Sequence, residues 1–317
     1  MGEHMSLAPI VMFVYNRADH FQQTYEALSK CIGATESELY IFSDGAKTEK
    51  DIPKVLEVRA AVQEAVNEAR FQKVHVVESE KNRGLAVSVI AGVTQVLEEY
   101  GRVIVIEDDC VTSLAFLQFM NNALDTYERE KRVGAIAGYT PQIAFPEKFQ
   151  EDVFFSYRSC SCGWATWKDR WDGVDWELKD MSDFYRNPTL IRKLNSNGID
   201  RFIRLYRQTQ GNGSSWSFRF GAHLVKNDQL TVYPRYSYIQ NIGCDASGVH
   251  SQEEDAQKMR VDLSKAIESP RLTEPSVNPD IQKIMKKHYS AGIVSNIKRT
   301  MATVGIVLKE RWKMKAD

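Results

Sequence analysis

The chain has 317 residues, 41 Lys+Arg against 42 Asp+Glu for a formal net charge of −1, and 43% hydrophobic residues. That is enough chain for one large or two modest cores of ordinary globular composition, with no global electrostatic case for nucleic-acid binding. No run of about 18 apolar residues exists to cross a membrane, and an odd count of five cysteines favours reduced thiols and a cytosolic setting over a disulfide framework.

Pro9 to Tyr15 reads as a first buried strand, and Asn16-Arg17-Ala18 turns out of it. Asp19 is placed to cap a helix, with Gln22 three residues on and Phe21, Thr24, Tyr25 and Leu28 along one face. Leu39 to Ser43 is a second strand ending in Asp44-Gly45, and Ile52 to Phe71 a second helix. Val74 to Val77 is a third strand, and Asn82-Arg83-Gly84 turns into a helix carrying Leu85, Val89, Val93, Val96 and Leu97. Val103-Ile104-Val105-Ile106 is a fourth, continuously β-branched as a strand covered on both faces must be. A helix from about Leu114 to Glu130 follows.

Strands alternating with helices over the first 130 or so residues predict a mostly parallel sheet with right-handed crossovers. The polar residues fall at the carboxyl ends of three of these strands: Asn16 and Arg17, Asp44, and Glu107-Asp108-Asp109. Open α/β sheets bind ligands there. Three consecutive carboxylates repel one another and cost desolvation energy unless something positive joins them. A divalent cation with a phosphorylated ligand answers that need, since hard cations take oxygen ligands. No Gly-x-Gly-x-x-Gly or Walker loop follows the first strand, so dehydrogenase and P-loop readings lack their motif.

After Gly134 aromatics and glycines become dense, among them Phe154, Phe155, Tyr157, Trp164, Trp167, Trp171, Trp176 and Trp216. Most are expected in the core, with one or two free to line a sugar-binding groove. A helix is predicted from Leu190 to Gln208. Cys160-Ser161-Cys162 has no second Cys/His pair, so no structural zinc is expected. Pro270, Pro275 and Pro279 mark a linker. From Ile281 to Asp317 nine Lys/Arg face two Asp/Glu, a net of +7 that leaves −8 for the rest. This tail has roughly helical apolar spacing. Two readings stay open for it: a basic amphipathic helix on an anionic membrane surface, or a helix packed on the domain with a solvated basic face. Met1 to Ser6 fits a myristoylation pattern but reads as a cloning remnant ahead of a native Met5, and no signal peptide is seen.

These motifs, in this order, resemble the GT-A class of nucleotide-sugar glycosyltransferases, and within it the family of N-acetylglucosaminyltransferase I and its bacterial, family 2 relatives. The carriers are Tyr15-Asn16-Arg17, Ser43-Asp44-Gly45, Asn82-Arg83-Gly84-Leu85, Glu107-Asp108-Asp109, Cys162-Gly163-Trp164 and Asn241-Ile242-Gly243 with Gly248-Val249-His250. The likeness runs from Ala8 to Ser251. It implies a nucleotide-sugar-binding half over 8–132, an acceptor-binding and catalytic half over 133–268, and a helical extension over 269–317.

The resemblance further implies Mn2+ or Mg2+ held by Asp109 and His250. Donor contacts would come from Tyr15, Asn16, Arg17, Arg83, Glu107, Asp108, Gly163 and Trp164, with Asp44 at the nucleobase, expected to be uracil. The implied reaction moves a hexosyl or N-acetylhexosaminyl unit, with inversion, from a UDP-sugar to a saccharide or lipid-linked saccharide, as in surface polysaccharide assembly. The implied place is the cytoplasm, with peripheral contact at the inner face of the membrane through the tail.

An inverting transfer calls for a carboxylate base, expected beside a tryptophan about 100 residues past the metal motif. Here the chain reads Ser214-Ser215-Trp216-Ser217-Phe218, with no carboxylate adjoining Trp216. Asp200 or Asp245 could fold into place as base. Alternatively the acceptor is already anionic, or the chain binds donor and transfers poorly. A nucleotidyltransferase also uses acidic metal sites, but would bring a Gly-rich basic loop that Tyr15-Asn16-Arg17 is not.

Overall fold

The computed structural model describes residues 7–244, 260–290 and 292–316. The first part alternates as read: β1 (Ile10–Val14), α1 (Ala18–Ser29), β2 (Glu38–Ser43), α2 (Ile52–Asn67), β3 (Lys73–Glu78), α3 (Leu85–Tyr100) and β4 (Arg102–Glu107). A short β5 (Cys110–Thr112) precedes α4 (Phe116–Tyr127). Then come β6 (Val133–Ala137), β7 (Val153–Ser156), β8 (Trp164–Trp167), α5 (Lys168–Trp171), α6 (Ser182–Arg186), α7 (Pro188–Leu194), α8 (Arg201–Thr209) and α9 (Trp216–Lys226). β9 (Leu230–Pro234), β10 (Ile239–Asn241), α10 (Pro279–Tyr289) and α11 (Ile293–Ala316) complete the described elements.

Eight strands make one sheet in the order β3-β2-β1-β4-β8-β6-β9-β7, and β10 pairs with β5 in a separate ribbon. From β3 to β4 the pairing is wholly parallel; beyond it, β8 runs antiparallel to both β4 and β6, and β7 antiparallel to β9. The period of two in each strand sends alternate side chains to opposite faces. Ile10, Met12, Ile104 and Ile106 join α1, α2 and α4 in one core; Val11, Phe13, Val103 and Val105 join α3 and α9 in the other. Both faces are therefore covered, which is why β1 and β4 are apolar without interruption.

The second core is largely tryptophan. Trp164 on β8 stacks on Trp216 at 4.9 Å and on Trp171 at 5.7 Å, and Trp171 meets Phe220 at 5.2 Å. These rings are buried, as the aromatic density after Gly134 predicts for most of them.

Three local expectations differ from the structure. Asp19 lies inside the first turn of α1, with Arg17 as the uncapped N-terminal residue. The helix foreseen over Leu190 to Gln208 is two, α7 and α8, because Gly198 adopts φ +134 between them and the Asn195 side chain accepts the Phe202 N–H at 2.9 Å. The proline-rich stretch before α10 is strapped to the domain, with the Tyr127 hydroxyl donating to the Thr273 carbonyl at 2.8 Å and Arg132 pairing with Glu274 at 3.2 Å.

The tail divides between its two readings. Asn278 caps α10 through the Asp280 and Ile281 N–H groups, and Ile281 and Met285 are buried against Phe149, Phe154 and Tyr233. α11 packs a few residues on α6 and α8, with Glu310 accepting from the Tyr206 hydroxyl at 3.0 Å and Arg311 donating to the Arg186 carbonyl at 3.0 Å. Most of its large apolar residues stay exposed.

Trp164 sits at the centre of the ring stack, so Trp164→Ala should lower the unfolding free energy by about 3–5 kcal/mol. Urea denaturation followed by tryptophan fluorescence measures it, and a loss under 1 kcal/mol would refute the central position given to this ring.

Candidate functional site

β2, β1 and β4 are neighbours in register, with Val14 level with Ser43 and Phe13 level with Glu107. Their carboxyl ends therefore bring Arg17, Asp44 and Glu107-Asp108-Asp109 to one edge, as their positions in the sequence require. The Asp108 N–H donates to the Phe13 carbonyl at 3.1 Å and the Asp44 N–H to the Val14 carbonyl at 3.2 Å, which fixes both acidic residues to the end of β1.

One guanidinium serves the acidic tip. The Arg17 Nη2 donates to both Asp108 and Asp109, the latter at 2.9 Å. Burial alone would lower the Arg17 pKa, but Asp108 and Asp109 outweigh it and raise it. The carboxylates show the converse deficit. Burial pushes Glu107 up to about 8, with Asp109 and Asp108 adding to the push. Burial also lifts Asp108 to about 6 in spite of Arg17. Among the described residues Arg17 is the cation bonded to Asp108 and Asp109, His20 adds a weaker pull on Asp108, and the Glu107 carboxylate has no hydrogen-bond partner.

Asp109 is held from the other side by the returning chain. β10 pairs antiparallel with β5, Asn241 opposite Cys110, and the Ile242 N–H donates to the Asp109 carbonyl at 2.8 Å. The Asn241 Nδ2 donates to Asp109 Oδ1 at 3.1 Å. Gly243 leaves room for the carboxylate: a Cβ there would stand 2.1 Å from Asp109 Oδ2 and 2.9 Å from Arg17 Nη1. The Asn241-Ile242-Gly243 signature is thus the far wall of the acidic tip. Asp245 and His250 lie outside the described residues.

Asp44 is occupied. Its Oδ1 accepts the Gly45 and Arg83 N–H groups at 2.9 Å each, and its Oδ2 accepts the Gly84 N–H at 2.9 Å and the Asn82 Nδ2 at 3.2 Å. An ionised carboxylate has about four lone-pair sites, so Asp44 first of all holds the Asn82-Arg83-Gly84 turn against β2. Tyr15 accepts the Lys47 N–H on its hydroxyl at 3.0 Å, beside Asn16, and burial raises its pKa.

Gly163 and Trp164 sit below the site. Gly163 has φ +56, and a Cβ would fall 1.8 Å from Ile239 Cδ1, so β8 can pass this close under β10 only with glycine there. Trp164 itself is buried in the ring stack and leaves no face open to a ligand. The Cys162 and Cys110 sulfurs are 3.4 Å apart as free thiols.

A crevice of about 1140 Å³ opens from this edge. Glu107 and the Arg83 to Val87 segment line it, together with Ser214, Ser215 and Ser217 at the start of α9 and residues of α8 and α11. Its carboxylates among the described residues are Glu107 and Asp200. Asp200 precedes α8 and pairs with Arg204 at 2.7 Å. Where the sequence left the base open, the crevice lining around Trp216 carries three serines, Ser214, Ser215 and Ser217.

Cations on this wall escaped the sequence reading. Arg207, on α8, and Lys298 and Arg299, on α11, all line the crevice. The +7 charge of the tail was the available signal, but it does not say which way each side chain points.

No family model matches the chain, and no curated protein matches it. Among solved structures it is similar to a mannosyltransferase from Pyrobaculum calidifontis, determined in complex with GDP-Man and Mn2+, at 13% identity over 69% of this chain and 68% of that one, TM-score 0.41. It is also similar to TarS of S. aureus at 17% identity over 44% of this chain and 24% of that one, TM-score 0.29. Overlaps this loose do not identify a family.

Arg17→Met leaves two carboxylates at the strand tip without their countercharge and should cost about 3–5 kcal/mol of stability. Gly243→Ala forces Asp109 away from Arg17 and should cost about 1–3 kcal/mol. Because both act on one carboxylate, the double variant should fall short of additivity by more than about 0.5 kcal/mol. Denaturant titration of the four proteins tests this, and strict additivity would separate Gly243 from the Arg17 contact.

Proposed function

We propose that the chain is a divalent-metal-dependent glycosyltransferase of the GT-A class. It would move a sugar from a nucleoside-diphosphate donor to a saccharide or lipid-linked saccharide, with inversion. The observation that carries this is the charge balance at the end of β4 among the described residues: three carboxylates beside the Arg17 guanidinium, with Glu107 on the lining of a crevice.

The residues fit a hard cation. Mn2+ and Mg2+ take oxygen ligands and are commonly bound through one or two carboxylates plus substrate phosphates. Asp109 is the acid we assign to this role; His250, the other expected ligand, lies outside the described residues. No group of three or more His, Cys, Asp or Glu side chains that could hold a metal occurs among the described residues. A donor diphosphate would share the coordination, which would couple metal binding to donor binding. The ion supplies charge stabilisation of the departing nucleoside diphosphate.

The chain's own residues do the rest. Arg17 holds Asp108 and Asp109 in place and keeps a positive charge at the phosphates. Asp44 fixes the turn from which Arg83 projects at the crevice, where it can meet the diphosphate. The Asp200–Arg204 pair argues against Asp200 as a free base, so an acceptor hydroxyl would lose its proton to another group or to water. This same pairing is what favours the rival reading, a protein that binds a nucleotide sugar without turnover.

α11 carries the membrane side of the proposal. No helix among the described residues is long and apolar enough to cross a membrane. Yet Val294, Ile297, Met301, Val304 and Leu308 are exposed at a 3-4-3-4 spacing. A second copy of the chain would set one +7 tail against another, whereas an anionic bilayer surface attracts each Lys or Arg by about 1 kcal/mol. An anionic phospholipid surface is the partner this face fits.

UDP or GDP with Mn2+ should raise the melting temperature of the wild type by about 5 °C at a hundredfold excess over Kd, and Asp109→Asn should abolish the metal-dependent part. A panel in which no nucleoside diphosphate stabilises the protein with either metal would end the reading; binding without donor turnover would select the rival. Vesicles with 30 mol% phosphatidylglycerol should cosediment the full chain, phosphatidylcholine vesicles should not, and Ile297→Glu with Met301→Glu should cut binding at least fivefold. Equal recovery from both vesicle types would remove the membrane claim.

A further inference from the structure

The crevice is lined by charges of both signs. About 1140 Å³ exceeds the roughly 300–1,000 Å³ of a single small-molecule site, so a second ligand has room beside the donor. Six cations line it, and three are already engaged or assigned. Arg204 pairs with Asp200 at 2.7 Å. Arg219 donates to Gln208 Oε1 at 3.1 Å and to the Trp176 carbonyl. Arg83 stands on the donor side, at the turn held by Asp44.

Arg207, Lys298 and Arg299 remain. None has a carboxylate partner among the described residues, and they come from two elements, α8 and α11, that meet along this wall. Cations lining one crevice raise the local potential and favour an anion there. Ser214, Ser215 and Ser217 line the same crevice, hydroxyls suited to a saccharide.

We propose that Arg207, Lys298 and Arg299 form an acceptor subsite for an anionic saccharide, one carrying a phosphate or carboxylate group. The proposal rests on the glycosyltransferase reading for the word acceptor, but the subsite is a binding claim that stands or falls on its own. Arginine forks match either oxyanion, with the lysine as a point charge. The subsite would also divide the work within the site: the acids at the end of β4 would take a metal-bound donor, and the cations of α8 and α11 would hold the anion of the molecule that receives the sugar.

The test uses the full chain with its donor site saturated by UDP or GDP and Mn2+. Glucose, glucose 6-phosphate and glucuronate are then titrated and followed by saturation-transfer NMR. The expected result is saturable binding of one or both anionic sugars at least tenfold tighter than glucose. Preference for the phosphate over glucuronate, or the reverse, names the anion. Arg207→Gln/Lys298→Gln/Arg299→Gln should erase the preference, and Arg207→Lys/Arg299→Lys should keep it, with melting temperatures showing that the variants fold.

Glucose binding as tightly as the charged sugars, no saturation by any of the three up to 50 mM, or a preference that survives the triple Gln variant would each overturn the subsite. Failure of the nucleotides to bind with either metal would instead strike the function reading. Anionic-sugar binding to the bare protein would still support the subsite in that case.

Discussion

The contact of Arg17 with Asp108 and Asp109 governs the arrangement of this molecule. Arg17 follows β1 by three residues, and the two aspartates directly follow β4. A guanidinium can reach them only if β1 and β4 are adjacent and parallel, their ends level. The sheet order delivers this, and with β2 on the other side of β1 it also brings Asp44 to the same edge. A buried ion pair is weak evidence for stability, since an apolar replacement of similar shape often does as well. Retaining two acids on one arginine, with a Glu107 carboxylate that has no hydrogen-bond partner among the described residues, is costly for folding, and the proposed divalent cation would offset that cost.

The second half of the sheet serves that tip from below. Gly163 directly precedes Trp164, the first residue of β8. The glycine lets β10 close over β8, and closure of β10 on β5 sets Asn241 and Gly243 against Asp109. The tryptophan anchors α9 through Trp216, and Trp216 in turn fixes the three serines of the crevice wall. Trp216 is thus a buried packing residue whose neighbours in sequence line the crevice. The ring stack and the crevice are two sides of one short segment, which links rigidity of the core to definition of the wall.

Much of this was legible in the sequence, for identifiable reasons. β1 and β4 declare themselves because strands covered on both faces must be apolar throughout. The convergence of their polar ends follows from parallel topology. The second half was harder. β5 and β10 are three residues each and are joined only through a long-range ribbon, which no local periodicity encodes. The break before α8 depends on one glycine at positive φ. Asp44 looked free to meet a ligand because a carboxylate's backbone partners, here from residues 83 and 84, become visible only when the two turns meet. Lys298 and Arg299 counted toward a basic tail. That they turn to the crevice, while Ile297 and Met301 turn away, is set by how α11 leans on α6 and α8.

Charges of both signs line this one crevice, Glu107 among them and the cations of α8 and α11. At about 4 Å two unit charges interact by about 4 kcal/mol near a protein surface, more than enough to sort ligands by sign. On the proposed reading, a nucleoside diphosphate without metal would be drawn to the cations rather than to the acids at the end of β4. A divalent ion would make its diphosphate acceptable there, and so would decide where the donor sits as well as stabilise a leaving group. That choice would leave the two arginines and the lysine to the anion of a second substrate, and a donor bound without metal would block the cations that the proposed acceptor requires.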